Sequence, residues 1–274
     1  MQKSRNQRIK ELLLKLSDRI DTACHVAGSL IPPKSLSSQY GAGSHAEVGL
    51  EFFGFLLDFA GLQRTSSVLD VGCGIGRIAL PLTSYLTPAG RYEGFDIMPD
   101  GIDYCARVVT PRFGNFRFAR ADVHNSYYNP GGTTQPEDYR FPHPDDAFDI
   151  VISTSVFTHL RPAAIERYVA ESRRVLKPGG ICLHTCFLID DETRALIAAG
   201  RDYNGFRHQM DGFMTNDLDH VESAIAIPLD DLRAIYRRCG LDAPTIHPGS
   251  WSGRAGNCRS HQDLCIASKP RIAA

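Results

Sequence analysis

Short apolar runs alternate with amphipathic segments along most of this chain, and that alternation sets the expected architecture. SVLDV (67–71), RYEGFDI (91–97), FRFAR (116–120) and FDIVIST (148–154) read as strands, and ICLHTCF (181–187) as a fifth. Between them, helical spacing runs from Gly76 to about Leu86, from Pro99 to about Val109 and from Pro162 to about Val175. KPGG then turns the chain into ICLHTCF. Ser44-His45-Ala46-Glu47 has capping-box form and opens a Phe- and Leu-rich helix closed near Gly61. Asp230 is placed to cap a last helix that runs to Cys239 and stops at Gly240. Two short strands, near PTIHP and DLCIAS, end the pattern. Strands separated by helices imply a mostly parallel sheet covered on both faces and joined by right-handed crossovers.

Some stretches do not fit the alternation. Ile9, Leu12, Leu13, Leu16 and Ile20 repeat at helical spacing, and IPPKSLSSQYGAGS follows as loop. The expected division is therefore a helical extension and loop over 1–45 and one α/β domain over 46–274. Within that domain, roughly 123–147, 188–228 and 249–260 are too long for ordinary connectors. An open α/β sheet binds ligands beyond the carboxyl ends of its strands, so these excursions are candidates for substrate binding.

Composition narrows the class. A chain of 274 residues, 43% hydrophobic and 22% charged, can bury a core without metal or disulfide staples. A net charge of −1 gives no electrostatic reason to expect a nucleic-acid partner. The eight cysteines form no CxxC pair, which reads as reduced, buried thiols of a cytoplasmic protein and not as a metal site. Lys15 cuts short the run Leu12–Leu14, so neither a signal-peptide core nor a membrane span is expected there. The oligomeric state is left open.

VLDVGCGIGR (68–77) carries the chemistry. A strand runs into Gly72, Gly74 and Gly76 and a helix follows, so the backbone can turn tightly and approach a ligand closely. Arg77 stands where a dinucleotide fingerprint wants its third glycine. Asp70 would sit badly beside a pyrophosphate and well beside an ammonium or sulfonium, which points away from NAD. Asp96 closes the second strand, where an acid accepts hydrogen bonds from ribose hydroxyls, and Asp122 follows the third strand within reach of an adenine.

With VLDVGCGIGR, YEGFDI, ARADVHN, FDIVISTSVFTHL and RVLKPGG, residues 66–187 resemble the class I S-adenosylmethionine-dependent methyltransferases, especially the small-molecule type. The resemblance implies a seven-stranded Rossmann-like sheet of order 3-2-1-4-5-7-6 with the last strand antiparallel. It implies S-adenosyl-L-methionine as cofactor, with Asp70, Gly72, Cys73 and Gly74 around the methionine part and Ser153 near its end. Asp96 would hold the ribose, and Ile97, Asp122 and Val123 would flank the adenine. The Gly41/Gly43 loop with Tyr40 is a further candidate to reach the cofactor.

STSVF stands where nucleobase amino-methylases carry an Asn- or Asp-Pro-Pro-aromatic tetrapeptide, against nucleic-acid methylation. A small-molecule or glycolipid-like acceptor, methylated on oxygen, is the expectation; nitrogen or carboxylate acceptors and a non-catalytic cofactor binder are the alternatives. A hydroxyl acceptor needs a base, and His159, in SVFTHLRP at the carboxyl edge of the sheet, is the candidate catalytic residue. His184 reads as core; His208 lies in the long excursion. Tyr127, Tyr128 and Trp251 either line an acceptor pocket or pack their loops.

Overall fold

The computed structural model describes residues 30–41 and 43–271; the amphipathic segment Ile9–Ile20 lies outside them. A single turn, α1 (Lys34–Ser37), interrupts the expected N-terminal loop. Helix α2 (His45–Ala60) begins where the capping pattern put it, with Ser44 Oγ accepting from the Glu47 amide at 3.4 Å, and ends at Gly61 with φ 61°. Then come β1 (Ser67–Val71), α3 (Ala79–Tyr85), β2 (Arg91–Asp96), α4 (Pro99–Val108), β3 (Phe116–Arg120) and β4 (Phe148–Ser153). They are followed by α5 (Pro162–Val175), β5 (Leu176–Cys186), β6 (Leu188–Ile189), α6 (Asp191–Ala198), β7 (His208–Gln209), β8 (Met214–Thr215) and β9 (Ile225–Pro228). Helix α7 (Leu229–Arg238), β10 (Thr245–His247) and β11 (Asp263–Ser268) complete the order.

The main sheet has the order β3-β2-β1-β4-β5-β11-β10. Strands β1 to β5 run parallel, β11 runs antiparallel to β5, and β10 antiparallel to β11. This is the expected Rossmann-like order, with the small strands of the second excursion spliced in before the last two. The strands read as continuous apolar runs because both faces are covered. Val68, Ile150, Ile152 and Leu183 pack on α2 and α3 through Phe55, Leu56 and Leu82. Leu69, Val71, Val151 and Cys182 pack on α5 and α7 through Ile165, Val169, Leu232 and Tyr236.

Three local expectations change. KPGG does not turn the chain into a new strand: β5 already begins at Leu176, opposite Phe148, and the register shifts before Ile181 pairs with Ile150. Gly179, at φ 81°, lies within that irregularity. The helix after the glycine turn starts at Ala79 and not at Gly76, whose φ of 77° is outside the helical region. Asp230 lies in the first turn of α7; the cap position is Pro228, without a side-chain bond.

The excursions are structured. Residues 188–228 fold into α6 and a second sheet of order β6-β9-β8-β7. Trp251, fully buried, packs between Phe187 and Phe206 and donates from Nε1 to Asp263 at 2.7 Å, so it packs its loop. Asp263 also accepts from the Leu188 and Gly249 amides at 2.7 Å each. Arg254 reaches Asp190 at 2.8 Å and Glu192 at 2.6 Å. These bonds fasten the third excursion to the second, above the carboxyl ends of the strands.

Candidate functional site

The glycine turn follows β1 directly. Gly72, Gly74 and Gly76 have φ of 77°, 54° and 77°, a region that side-chain-bearing residues rarely enter. A Cβ on Gly72 would lie 2.2 Å from Val156 Cγ2, so close packing as well as dihedral angle requires glycine there. The turn is tied to β2: the Gly72 and Cys73 amides donate to Phe95 O at 2.9 and 3.1 Å. Asp96 accepts from the Gly74 amide on Oδ2 and the Met98 amide on Oδ1, both at 2.8 Å. One carboxylate thus fixes both the turn and the start of α4. Burial pushes the Asp96 carboxyl above its ordinary range, and these amide bonds oppose the shift.

Asp70, at the end of β1, is 1% exposed. Tyr92 donates to its Oδ2 at 2.6 Å, while Oδ1 has no hydrogen-bond partner among the described residues. Burial pushes this carboxyl up to about 7, with the nearby Asp96 adding to the shift and the Tyr92 bond opposing it. A buried acceptor without a donor is costly, and a cationic donor from a ligand is the group that would satisfy it.

A cavity of about 680 Å³ opens beyond the carboxyl ends of β1, β2 and β4. Of the residues expected in the site, Asp70, Gly72, Cys73, Gly74, Asp96, Ile97, Val123 and His159 all line it. Two expected residues are not brought there. Asp122 lies beyond the end of β3, is solvent-exposed and accepts on its carboxylate from the Thr133 hydroxyl, while its neighbours Ala121 and Val123 are buried. Ser153 is buried within β4 opposite His184.

Tyr40 does lie over the turn: a Cβ on Gly74 would be 3.0 Å from its ring, and one on Gly101 2.6 Å from its hydroxyl. Arg77 holds the same loop by donating to Gly41 O at 3.1 Å. Gln39, Tyr40, Gly41 and Gly43 therefore form one wall of the cavity.

His159 ends a short 3-10 turn after β4. Its Nδ1 lies 2.9 Å from Glu222 O, a carbonyl that can only accept, so Nδ1 carries the hydrogen and Nε2 keeps the lone pair. Burial lowers its pKa, which keeps the ring neutral at pH 7. Glu222 is itself anchored, accepting from the Ser126 amide and hydroxyl at 2.8 Å each. The edge of Tyr128 packs on the His159 ring, centroids 5.1 Å apart. His184 is a core residue: it bonds Tyr236 at 2.6 Å, and burial drives its pKa down to about 3. His208 sits on β7 and is not among the lining residues.

Sequence reasoning missed the far wall. Ser155, with φ 55°, donates its amide to Thr185 Oγ1 at 2.7 Å, and Thr185 donates on to Gln262 Oε1 at 2.5 Å. Asn204, Asn216 and Ser223 line the cavity from the second excursion, and Gln262 from the residues just before β11. Polar residues in loops of no regular period carry no signal that they converge. Among the described residues, no group of three or more possible metal ligands exists, and no helix is long and apolar enough to cross a membrane.

Comparison with known proteins agrees with this geometry. Residues 68–180 match the methyltransferase domain family. The chain is 33% identical over 118 residues to the fatty-acid O-methyltransferase of Mycolicibacterium smegmatis, covering 43% of this chain and 36% of that protein. It is 35% identical, over the same shares, to phthiotriol/phenolphthiotriol dimycocerosates methyltransferase 1 of Mycobacterium ulcerans. The chain thus spans little more than a third of the length of these curated relatives. A solved S-adenosylmethionine-dependent methyltransferase from Methanosarcina mazei shares the fold, with a TM-score of 0.52 and 21% identity over 77% of this chain and 95% of that one. Strand order, glycine turn and cavity define a Rossmann-like methyltransferase domain. The match to the methyltransferase domain family runs from β1 into β5.

Proposed function

We propose that this protein transfers a methyl group from S-adenosylmethionine to an oxygen of a small-molecule or glycolipid-like acceptor. The observation that carries the reading is that Asp70 Oδ1, a buried acceptor without a partner, lines the same cavity as His159. When bound, S-adenosylmethionine supplies an electrophilic methyl group and an ammonium. Asp70 would accept from the ammonium, and the open backbone at Gly72 and Gly74 would let the methionine part approach. Asp96 has lone pairs left beyond those used by the Gly74 and Met98 amides and would accept from ribose hydroxyls. Ile97 and Val123 would flank the adenine.

His159 is the base in this reading. An acceptor hydroxyl loses its proton to Nε2 as its oxygen attacks, while Glu222 O holds the ring through Nδ1. Placing acceptor and methyl group in line is the larger part of the catalysis, and the walls of the cavity would provide it. The division at residue 45 belongs to the same proposal: residues 46–274 form the methyltransferase domain, and residues 1–45 are an extension to it.

The test pairs binding with turnover. S-adenosylhomocysteine should raise the melting temperature, because a ligand that binds only the folded state stabilises it, and NAD at equal concentration should do much less. Greater stabilisation by NAD would overturn the cofactor assignment. Binding of S-adenosylhomocysteine without turnover on any metabolite fraction would mark a non-catalytic binder.

A further inference from the structure

The acceptor side of the cavity is built from the second excursion and from residues 260–262, and none of the lining residues they contribute carries a fixed charge. Two carboxamides stand out. Asn204 Nδ2 is buried and has no hydrogen-bond partner among the described residues. Gln262 is fixed in orientation, because its Oε1 accepts from both Thr185 Oγ1 at 2.5 Å and Ser155 Oγ at 3.2 Å. Its NH₂ group is therefore the free end. The Thr185 hydroxyl has its own direction set, since it accepts the Ser155 amide at 2.7 Å. The two carboxamides sit on neighbouring segments: the Tyr203 and His261 rings lie 6.5 Å apart. Asn204 is further braced by Asn216, whose Nδ2 donates to Asn204 O at 3.2 Å and whose Oδ1 accepts from Ser223 at 2.8 Å.

From this we infer that Asn204 and Gln262 form a recognition site for an uncharged, oxygen-rich acceptor, one that presents a second hydroxyl or carbonyl beside the methylated oxygen. Asn204 Nδ2, buried and open, needs an acceptor atom, because leaving it unmet costs more than an ordinary hydrogen bond gains, and the half-buried Gln262 offers a second donor beside it. A carboxylate would find no cation on this wall to offset its desolvation. It would also meet Glu51, a lining carboxylate close enough to His261 to bias its titration. An ammonium would be drawn to Glu51, but at Asn204 and Gln262 it would set its own donors against theirs. The inference rests on the methyl-transfer reading and narrows its acceptor to a neutral polyol, glycoside or hydroxy-carbonyl head group.

Three probes of equal chain length separate the possibilities: octane-1,2-diol, octanoate and octylamine. Each is titrated into the protein saturated with S-adenosylhomocysteine, with saturation-transfer NMR and calorimetry as readouts. The diol should bind at least about fivefold more tightly than either ion, the order of one to two neutral hydrogen bonds. Asn204→Asp and Gln262→Glu keep shape and replace a donor by an anionic acceptor. Each should weaken the diol by about fivefold and leave S-adenosylhomocysteine affinity unchanged. Tighter binding of octanoate or octylamine, equal binding of all three, no binding of any, or variants indifferent to the diol would overturn the assignment. Failure to bind S-adenosylhomocysteine is read separately, in the titration that precedes the probes, and counts against the methyl-transfer reading itself.

Discussion

Replacing Asp70 by Asn separates the price of a buried charge from its use. The folded carboxyl titrates at about 7, against 3.8 for the free side chain, chiefly because burial disfavours its charged form. The folded state therefore holds its proton to higher pH than the unfolded state. Stability is fully retained below the unfolded value and falls as pH rises from about 4 towards 7. Asn keeps the Tyr92 bond without the charge, so ligand-free Asp70→Asn should melt several degrees above the wild type at pH 8 and close to it at pH 4. Binding should show the opposite preference. An ammonium pairs with the ionised carboxylate, which makes up about a tenth of ligand-free molecules at pH 6 and about nine-tenths at pH 8. Wild-type affinity for S-adenosylhomocysteine should then rise about tenfold over that range, or about 1.4 kcal/mol, with proton release at pH 6. Calorimetry in buffers of different ionisation enthalpy measures both quantities. Asp70→Asn should bind weakly at both pH values, with a nearly flat profile. A variant that matches wild-type affinity at pH 8 would refute the role given to Asp70 Oδ1.

Other variants probe the remaining parts. Asp96→Ala should lose ribose hydrogen bonds and the anchoring of the Gly74 and Met98 amides, costing roughly 1.5–3 kcal/mol of cofactor affinity by calorimetry; Asp96→Asn should fall between it and wild type. Gly72→Ala should lower the melting temperature by several degrees, because its Cβ would meet Val156 Cγ2 at 2.2 Å and φ is 77°. His159→Gln and His159→Ala should reduce kcat on a hydroxyl acceptor by roughly 10²–10⁴ while keeping cofactor affinity. Since burial lowers the His159 pKa, its base form persists on acidification and the acidic limb of kcat should lie below pH 6.5. Near-normal turnover in a stable His159 variant would remove it from the chemistry.

The sheet was legible because each strand obeys a local rule with global consequences: apolar runs such as Val68–Val71 and Ile150–Ile152 must be covered on both faces. The half of the cavity proposed for the cofactor was legible as a cluster for the same reason, since its residues come from one strand end, one turn and the next strand end. Past the end of β3 residue type pointed to Asp122, yet the inner side passes from Phe116 and Phe118 to Ala121 and Val123, a change of phase that no periodic pattern announces. KPGG reads locally as a turn, yet pairing of Leu176 with Phe148 holds it within β5. The acceptor wall was not legible. Asn204, Asn216, Ser223 and Gln262 come from segments whose meeting depends on Asp263 gathering Leu188, Gly249 and Trp251, a long-range arrangement without periodic trace.

Methyl transfer itself is tested most directly by product analysis. The protein is incubated with S-adenosylmethionine carrying a trideuterated methyl group and a fractionated small-molecule extract, and both products are quantified by mass spectrometry. The account predicts S-adenosylhomocysteine formed in equal amount with a deuteromethylated product. That product should be stable to mild alkali, as a methyl ether is, and it should be strongly reduced with His159→Gln. Tight binding of S-adenosylmethionine with no S-adenosylhomocysteine above the protein-free control in any fraction would contradict it.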